Sequence, residues 1–256
     1  MQFGVEVELG TYYPQVIADK LVERGILTMK EEYRDTDCGC EHCKHPDHQQ
    51  PEEYSGDFIL SKHSDYDKKF KVKPESSLDP GFEINTPIMT DLAELRYLEV
   101  IMNAARKEKV EITEKCGIHI HIGTKWKNRI ASEQGREILR AMWANTKLPE
   151  KFKPNNFRRK HYSLNGGINN SKHSPINYLT QYDTLEYRIF DCKWSIKYIM
   201  SAVEFCQNFS RQLNAKLKEQ GLISPKGQGI PTPFKRKKPT KQAPHWNTGP
   251  DPYDPF

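Results

Sequence analysis

The chain has 256 residues, of which 36% are hydrophobic and 29% are charged, and this composition predicts a globular protein with a substantial core. Much of the formal net charge of +5 comes from basic residues after position 234, so charge alone does not indicate a nucleic-acid-binding body. No apolar run approaches the roughly 20 residues that a membrane span needs, and no secretory signal begins at Met1, so we expect a protein of the reducing cytoplasm, without a disulfide framework.

The first part of the chain alternates between strand and helix patterns. Residues 2–9 alternate strictly between apolar and polar side chains, which predicts a strand. Residues 14–24 have an apolar stripe at helical spacing and precede a glycine, so they are predicted as a helix. Residues 35–57 are rich in Cys, His, Asp and Glu and are predicted to be an inserted loop. Two strands over 69–73 and 82–86 then flank a turn.

The second part contains longer elements. Its predicted helices and strands are, in chain order, a helix over 90–109, a strand over 116–123, a helix over 132–145, a strand over 184–191 and a helix over 195–220. Residues 149–177 are predicted to be a loop. After Gly221 the chain is rich in proline and basic residues, so 1–220 is expected to form one domain and 221–256 a disordered or docked tail.

Four of the predicted strands place polar side chains on one face and apolar side chains on the other. The polar pairs are Glu6 and Glu8, Glu83 and Asn85, His119 and His121, and Glu186 and Arg188. Each strand alone also fits an ordinary half-exposed sheet. Surface strands usually carry Lys, Thr, Ser or Gln, however, and neighbouring glutamates repel unless a cation lies between them. The pattern predicts a concave acidic sheet face that binds divalent cations such as Mg²⁺, with histidines and an arginine available for anionic groups.

The order of these motifs resembles the amidoligase family of bacteria, phages and fungi. The resemblance covers residues 2–206 and is carried by 3–8, by 75–87, by 116–121 and by 184–190. That family belongs to the carboxylate–amine ligase superfamily of glutamate–cysteine ligase and glutamine synthetase. It implies an α+β fold in which a curved antiparallel sheet forms a funnel-shaped active site and helices pack on its outer face. For a phage-encoded chain it implies the host cytoplasm.

The resemblance also implies an activity and its residues. The activity is an ATP- and Mg²⁺-dependent ligation of a carboxylate to an amine through an acyl phosphate, with an amino acid, a peptide, an amine or a protein as substrate. The resemblance assigns two or more Mg²⁺ ions to Glu6, Glu8, Glu83 and Glu186. It assigns catalytic roles near the phosphates to His119, His121, Arg188 and Glu75, although Glu75 stands where the family often has Asp. It assigns nucleotide or substrate contacts to Lys172 and Asn177.

The loop over 149–177 is a candidate lid over the ATP site. It carries Arg158, Arg159 and Lys172, together with two adjacent glycines that would allow it to close. A closed lid would exclude water and protect an acyl phosphate from hydrolysis. A solvated basic surface loop is the alternative for the same residues.

A cysteine and histidine cluster predicts a structural Zn²⁺ site inside the insertion. Its candidate ligands are Cys38, Cys40, Cys43, His45 and His48. Two-residue gaps separate Cys40 from Cys43 and His45 from His48, as in many structural zinc sites, and a polar loop with free thiols is the alternative. The remaining cysteines, Cys116, Cys192 and Cys206, are predicted to be buried as small apolar side chains.

Two other functions fit parts of the sequence. A metal-dependent hydrolase would also use paired histidines and several glutamates. A non-enzymatic module with a zinc loop would bind nucleic acid through the basic tail, the one part of the chain expected to contact nucleic acid. Dependence of product formation on ATP separates both from the ligase.

Overall fold

The structure is a computed structural model, and it describes residues 1–10, 12–35, 53–63, 66–75, 78, 80–161, 168, 174–178 and 183–223. Within these residues the chain forms one sheet whose strands are β1 Phe3–Gly10, β2 Leu27–Asp35, β3 Glu53–Leu60, β4 Phe70–Pro74, β5 Gly81–Asn85, β6 Gly117–Gly123, β7 Ile176–Asn177 and β8 Thr184–Asp191. The strand order is β2-β3-β4-β5-β1-β6-β8-β7, and every neighbouring pair is antiparallel. Because β1 lies between β5 and β6, the first strand of the chain pairs with two strands that come much later in the sequence.

The helices are α1 Pro14–Glu23, α2 Leu95–Lys107, α3 Lys127–Ile130, α4 Glu133–Ala144, α5 Asn156–His161 and α6 Ile196–Glu219. Short 3-10 helices cover Leu92–Glu94 and Glu150–Phe152. The long helix α6 packs against β6, and α2 and α4 pack against α6, whereas α1 packs against the strands from β2 to β5. In the described part of the chain, no helix combines the length and the hydrophobicity needed to cross a membrane.

The core lies between the helices and the apolar face of the sheet. Val7 of β1, Ile84 of β5 and Ile118 of β6 are fully buried there, because alternate side chains of a strand point to the same face. Tyr187 of β8 is also fully buried, and its hydroxyl lies 2.7 Å from Ser210 Oγ of α6, which ties this strand to the helix layer. Cys116, Cys192 and Cys206 are buried, as predicted.

The register of the central strands is regular except at one point. Between Ile118 and Ile120 of β6, the partner strand β8 contains one extra residue, so two residues of β8 oppose His119. The bulge lets Glu186 and Arg188 keep the polar face while Phe190, two residues beyond Arg188, still reaches Ile118 on the apolar face. The bulge therefore leaves the polar side chains of β8 on the polar face and places the aromatic ring of Phe190 in the core.

The α+β class and the antiparallel sheet are confirmed, and the sheet is open rather than closed. The prediction of a loop over 35–57 is wrong at both ends, because Asp35 ends β2 and residues 53–57 belong to β3. The prediction of a loop over 149–177 is also wrong in part, since a 3-10 helix, α5 and β7 lie within it. The five candidate zinc ligands between residues 38 and 48, and residues 224–256 of the tail, lie outside the described residues.

Candidate active site

The polar side chains of the central strands lie on the face opposite the helix-packed core, and the pairing register arranges them in three rows. In the first row Glu8 is opposite Glu83. In the second row Glu6 is opposite His119. In the third row Gly4 is opposite His121, which in turn is opposite Glu186. Side chains from four strands therefore meet on one surface.

His119 is the centre of this cluster. It is 2% exposed, and its Nδ1 atom lies 3.2 Å from Glu6 Oε2 and 3.5 Å from Glu186 Oε1. Its Nε2 atom lies 3.1 Å from Glu8 Oε1, although without hydrogen-bond geometry. One imidazole ring thus contacts carboxylates from β1 on both of its nitrogens and from β8 on one.

His121, in the third row, also contacts side chains of both β1 and β8. Its Nε2 atom lies 3.3 Å from Glu6 Oε1, and its Nδ1 atom lies 3.3 Å from Thr184 Oγ1 at the start of β8. Glu6 therefore contacts both histidines, one with each carboxylate oxygen. These two contacts hold the Glu6 carboxylate in one orientation.

Two basic side chains and one amide complete the cluster. Lys73 Nζ of β4 lies 2.6 Å from Glu83 Oε1, and Arg188 Nη1 lies 2.5 Å from Glu186 Oε1. Asn177 Nδ2 of β7 donates a hydrogen bond of 2.8 Å to Glu186 Oε2. Each basic group neutralises one glutamate, so the negative charge of the cluster is concentrated on the β1 carboxylates.

The electrostatics of the cluster follow from burial and crowding. Burial and the negative charge of Glu6 raise the pKa of Glu83 from 4.5 to about 8, and Lys73 opposes this rise. Burial alone would raise the pKa of Glu6, but hydrogen bonds from His119 and His121 and their charge outweigh it and lower that pKa. The pKa values of the two neighbouring acids are therefore shifted in opposite directions, because Glu6 has imidazole partners whereas Glu83 is buried near the negative charge of Glu6.

Three side chains have the spacing of a metal site. Single ligand atoms of Glu6, His119 and Glu186 lie within 4.8 Å of one another. Ligands of an octahedral Mg²⁺ with bonds of about 2.1 Å are about 3 Å apart when adjacent and about 4.2 Å apart when opposite. The distances of 3.2 and 3.5 Å from His119 Nδ1 to the two carboxylates are close to the adjacent spacing. Two carboxylates and one imidazole therefore fit a hard divalent cation, and the nitrogen also suits Mn²⁺ or Zn²⁺.

The other predicted site residues differ in their placement. Glu75 forms a side-chain hydrogen bond with Glu83, so it adjoins the cluster. Arg159 on α5 is exposed, and its Nε donates to Pro154 O of the preceding turn. The Arg158 side chain and Lys172 lie outside the described residues. Of the predicted nucleotide contacts, the structure thus brings Asn177 into the cluster.

Lys73 and Thr184 are parts of the cluster that the sequence prediction omitted. The sequence does contain a signal for Lys73. Residues 69–73 and 82–86 are predicted to be neighbouring strands, and alternation along the first of them places the Lys73 side chain on the polar face. Lys73 and Glu83 are in fact opposite each other in the β4–β5 pair. Thr184 has no comparable signal, since a threonine at the start of a strand is common.

The family model described as "putative amidoligase enzyme" matches residues 1–165, which is more than half of the chain. The chain therefore belongs to this family of amidoligases, enzymes that form amide bonds. The match includes the polar strands β1, β5 and β6 and ends before β8, so Glu186 and Arg188 join the cluster from beyond the matched region. Comparison with curated proteins and comparison with solved structures gave no match.

Proposed function

We propose that the protein is an ATP- and Mg²⁺-dependent ligase that joins a carboxylate to an amine through an acyl phosphate. Membership of the amidoligase family supports amide-bond formation. The observation that supports a divalent cation is the cluster in which Glu6, His119 and Glu186 offer ligand atoms within 4.8 Å of one another. Glu8 and Glu83, which are 2% and 3% exposed, add further carboxylates to the same surface.

The need for ATP follows from the chemistry of amide formation. A carboxylate is a poor electrophile, so one of its oxygens first attacks the γ-phosphorus of ATP, the bond from that phosphorus to the bridging oxygen breaks, and ADP leaves. The amine nitrogen then attacks the carbonyl carbon of the acyl phosphate, and the carbon–oxygen bond to phosphate breaks. Of the three protons on a substrate ammonium, one stays on the amide nitrogen, one leaves with the phosphate and one goes to solvent.

The residues that would hold Mg²⁺ are Glu6 and Glu186, with Glu8 and Glu83 as further ligands. Bound there, the ion would neutralise phosphate charge and align the reacting phosphoryl group. The basic groups of Arg188 and Lys73 are already directed at this surface by their ion pairs with Glu186 and Glu83. When a divalent cation takes over those carboxylates, both basic groups become available for phosphate oxygens.

Burial of the cluster serves the second step of the reaction. His119 and Glu186 are 2% and 4% exposed, so little water reaches these two side chains. Exclusion of water favours attack by the amine over hydrolysis of the acyl phosphate. The same low exposure strengthens each electrostatic contact with the phosphoryl group.

The test is formation of products from ATP and Mg²⁺ with a panel of amino acids and amines, followed by mass analysis and by release of ADP and phosphate. We expect Glu6→Gln and Arg188→Ala to lower kcat/KM by about 100-fold or more, as loss of a charged group at a phosphoryl-transfer site does. Exposed residues supply matched controls, Glu204→Gln on α6 and Arg106→Ala on α2, which should retain wild-type turnover.

Three results would contradict the proposal. Wild-type ligation by Glu6→Gln or Arg188→Ala would remove the assigned roles. Hydrolysis of an amide without ATP would favour a metal-dependent hydrolase. Steeply salt-dependent binding of DNA or RNA without any ATP turnover would favour a nucleic-acid-binding module.

A further inference from the structure

A cavity of about 450 Å³ opens beside the glutamate–histidine cluster, at the Phe3 end of β1. Its lining includes Glu6, Asn85, His121 and Thr184, so it adjoins the second and third rows of polar side chains. This volume is within the range of about 300 to 1,000 Å³ for small-molecule sites. The cavity is therefore large enough for a substrate and touches the residues that would hold the metal.

The charges of the side chains that line the cavity favour a cationic substrate over an anionic one. Glu6 and Asp183 contribute carboxylates, His121 contributes one imidazole, Thr86 and Thr184 contribute hydroxyls, and none of the described lining residues is Lys or Arg. The basic groups of the cluster, Lys73 and Arg188, do not line the cavity. A triphosphate or a carboxylate would meet net negative charge in the cavity, whereas an ammonium group would be attracted.

Gly4 keeps the floor of this cavity open. It has the same parity on β1 as Glu6 and Glu8, so a side chain at position 4 would point to the polar face. A Cβ atom added at Gly4 would lie 4.0 Å from His121 Cβ and 4.0 Å from Thr86 Oγ1, which is ordinary contact distance. Gly4 is not among the positive-φ glycines, Gly25 and Gly221. The glycine is therefore explained by the space it leaves rather than by its backbone conformation.

A hydrophobic side chain stands at the rim of the same cavity. Ile88 lines it and is 66% exposed, so its side chain offers an apolar surface to a molecule in the cavity. The lining thus combines an acidic interior beside Glu6 with an aliphatic rim. This combination matches a molecule that has a cationic end and an apolar body.

We infer that this cavity binds the amine substrate, as an ammonium with an aliphatic body, and that Gly4 limits the size of the amine. The inference rests on the proposed function, because it assigns the amine of the ligation to one end of the cluster. The ammonium would contact Asp183, and its body would extend along Ile88. Nucleotide phosphates would then approach from the side of Lys73 and Arg188.

The first arm of the test measures binding and needs no turnover. Ligand-observed NMR titrations would compare n-hexylamine with hexanoate on the full chain at millimolar concentrations. We expect the amine to bind the wild type, the hexanoate not to bind, and Gly4→Leu to weaken amine binding at least 10-fold. Gly10→Ala is a control on the same strand, since its added Cβ would lie no closer than 3.6 Å to other atoms, and it should bind as the wild type does.

Two milder variants keep the test decisive if Gly4→Leu does not fold. Gly4→Ala should weaken binding of n-hexylamine because it narrows the same floor, whereas Gly10→Ala should not. Asp183→Asn should weaken it by about two- to five-fold, as expected for loss of one exposed charge partner, and the exposed Asp19→Asn on α1 should leave it unchanged. Unaltered binding in both cavity variants would overturn the inference.

The second arm measures turnover and separates this inference from the proposed function. With ATP, Mg²⁺ and an amino-acid mixture as the carboxylate source, hydroxylamine needs less of the cavity than n-hexylamine does, so Gly4→Leu should lower turnover of n-hexylamine at least 10-fold more than it lowers formation of hydroxamate. Binding of n-hexylamine that depends on Gly4, without any ATP-dependent product, would support the cavity and contradict the ligase. Ligation with an unchanged KM for n-hexylamine in Gly4→Leu would support the ligase and overturn the cavity assignment.

Discussion

Replacement of Glu83 by glutamine should make the protein less sensitive to pH. Glu83 is 3% exposed and lies opposite Glu8, diagonally across the β1–β5 pair from Glu6, and its pKa is raised from 4.5 to about 8 by burial and by the negative charge of Glu6. Glutamine has nearly the same shape and carries no charge at any pH. It therefore resembles the protonated form of Glu83 and removes the titration without creating a cavity.

The size and sign of the effect follow from proton linkage. A carboxyl whose pKa is higher in the folded state contributes stability below its unfolded pKa, and that stability is lost as the pH rises through the folded pKa. Each pH unit between the two pKa values costs about 1.4 kcal/mol. Between pH 5 and pH 8 the Glu83 carboxyl should therefore lower the free energy of unfolding of the wild type by about 3 to 4 kcal/mol, and Glu83→Gln should not show this loss.

The assay is urea denaturation at pH 5, 6, 7 and 8 with a chelator present. The ion pair with Lys73 needs no separate correction, because Glu83 is mostly protonated below pH 8 in the wild type and the opposing effect of Lys73 is already contained in the pKa of about 8. Glu204→Gln, an exposed change on α6, is the control and should follow the wild-type curve. Added Mg²⁺ should flatten the wild-type curve, since a cation favours the charged form of Glu83.

Parallel curves for the wild type and Glu83→Gln would refute this reasoning. They would mean that Glu83 titrates in the folded protein as it does in the unfolded chain. The crowding of Glu6 and Glu83 would then carry no energetic cost, and the case for a divalent cation between them would lose its physical basis.

Other contacts give predictions that urea denaturation or metal analysis can check. Tyr187→Phe should cost about 1 to 3 kcal/mol because it leaves the Ser210 hydroxyl unpaired in the core, and Tyr187→Phe combined with Ser210→Ala should cost less than the two single changes added together. Glu94→Gln should cost about 1 kcal/mol at pH 7, since it removes the charge that pairs with Lys68, whereas the glutamine oxygen can still accept the capping hydrogen bonds from the Thr90 and Asp91 amides. Burial alone would raise the pKa of Glu94, but hydrogen bonds from Lys68 and from backbone amides lower it to about 2. The charged carboxylate therefore stabilises the fold above pH 4.5, and this stabilisation is lost as the pH falls towards 2. The cost of Glu94→Gln should accordingly be smaller at pH 3 than at pH 7. The cluster over 38–48 predicts about one Zn²⁺ per chain by elemental analysis of protein purified without chelators, and a metal-free protein would contradict it.

Elements with unbroken periodicity were predictable from the sequence. The predicted strand over 184–191 has the bounds of β8, and the predicted helix over 132–145 contains α4, whose cap is Ser132. Gly25 and Gly221 follow α1 and α6 with φ of +63° and +71°, as expected for glycines that end helices. In each case a local rule and the final packing agree.

The missed strands have local reasons. In β2 the register shifts between Met29 and Glu31, so the alternation that would reveal a strand is interrupted in its middle. In β3 the first residues belong to a stretch whose Cys, His and Asp content is typical of an inserted loop. That composition obscures the alternation of Gly56, Phe58 and Leu60, all of which are buried.

The site was predictable as a list of side chains but not as a geometry. Alternation identified Glu6, His119 and Glu186 as polar-face residues, yet it cannot give the order in which strands pair. The order β5-β1-β6-β8 puts these three side chains next to one another, and it depends on long-range packing of the helices on the other face. The bulge opposite His119 was also hidden, because it changes pairing without changing the sequence pattern of β8.

The central position of β1 has a consequence for how the protein folds. Strands β2 to β5 form successive hairpins whose partners are near in sequence, so they can assemble early, whereas Glu6 meets side chains 79 and 113 positions further along. The glutamates are thus far apart in any half-assembled chain and converge only when β1 inserts between β5 and β6. Their mutual repulsion opposes this last step and favours reopening, so an ion that binds only the finished cluster should slow unfolding more than it speeds folding.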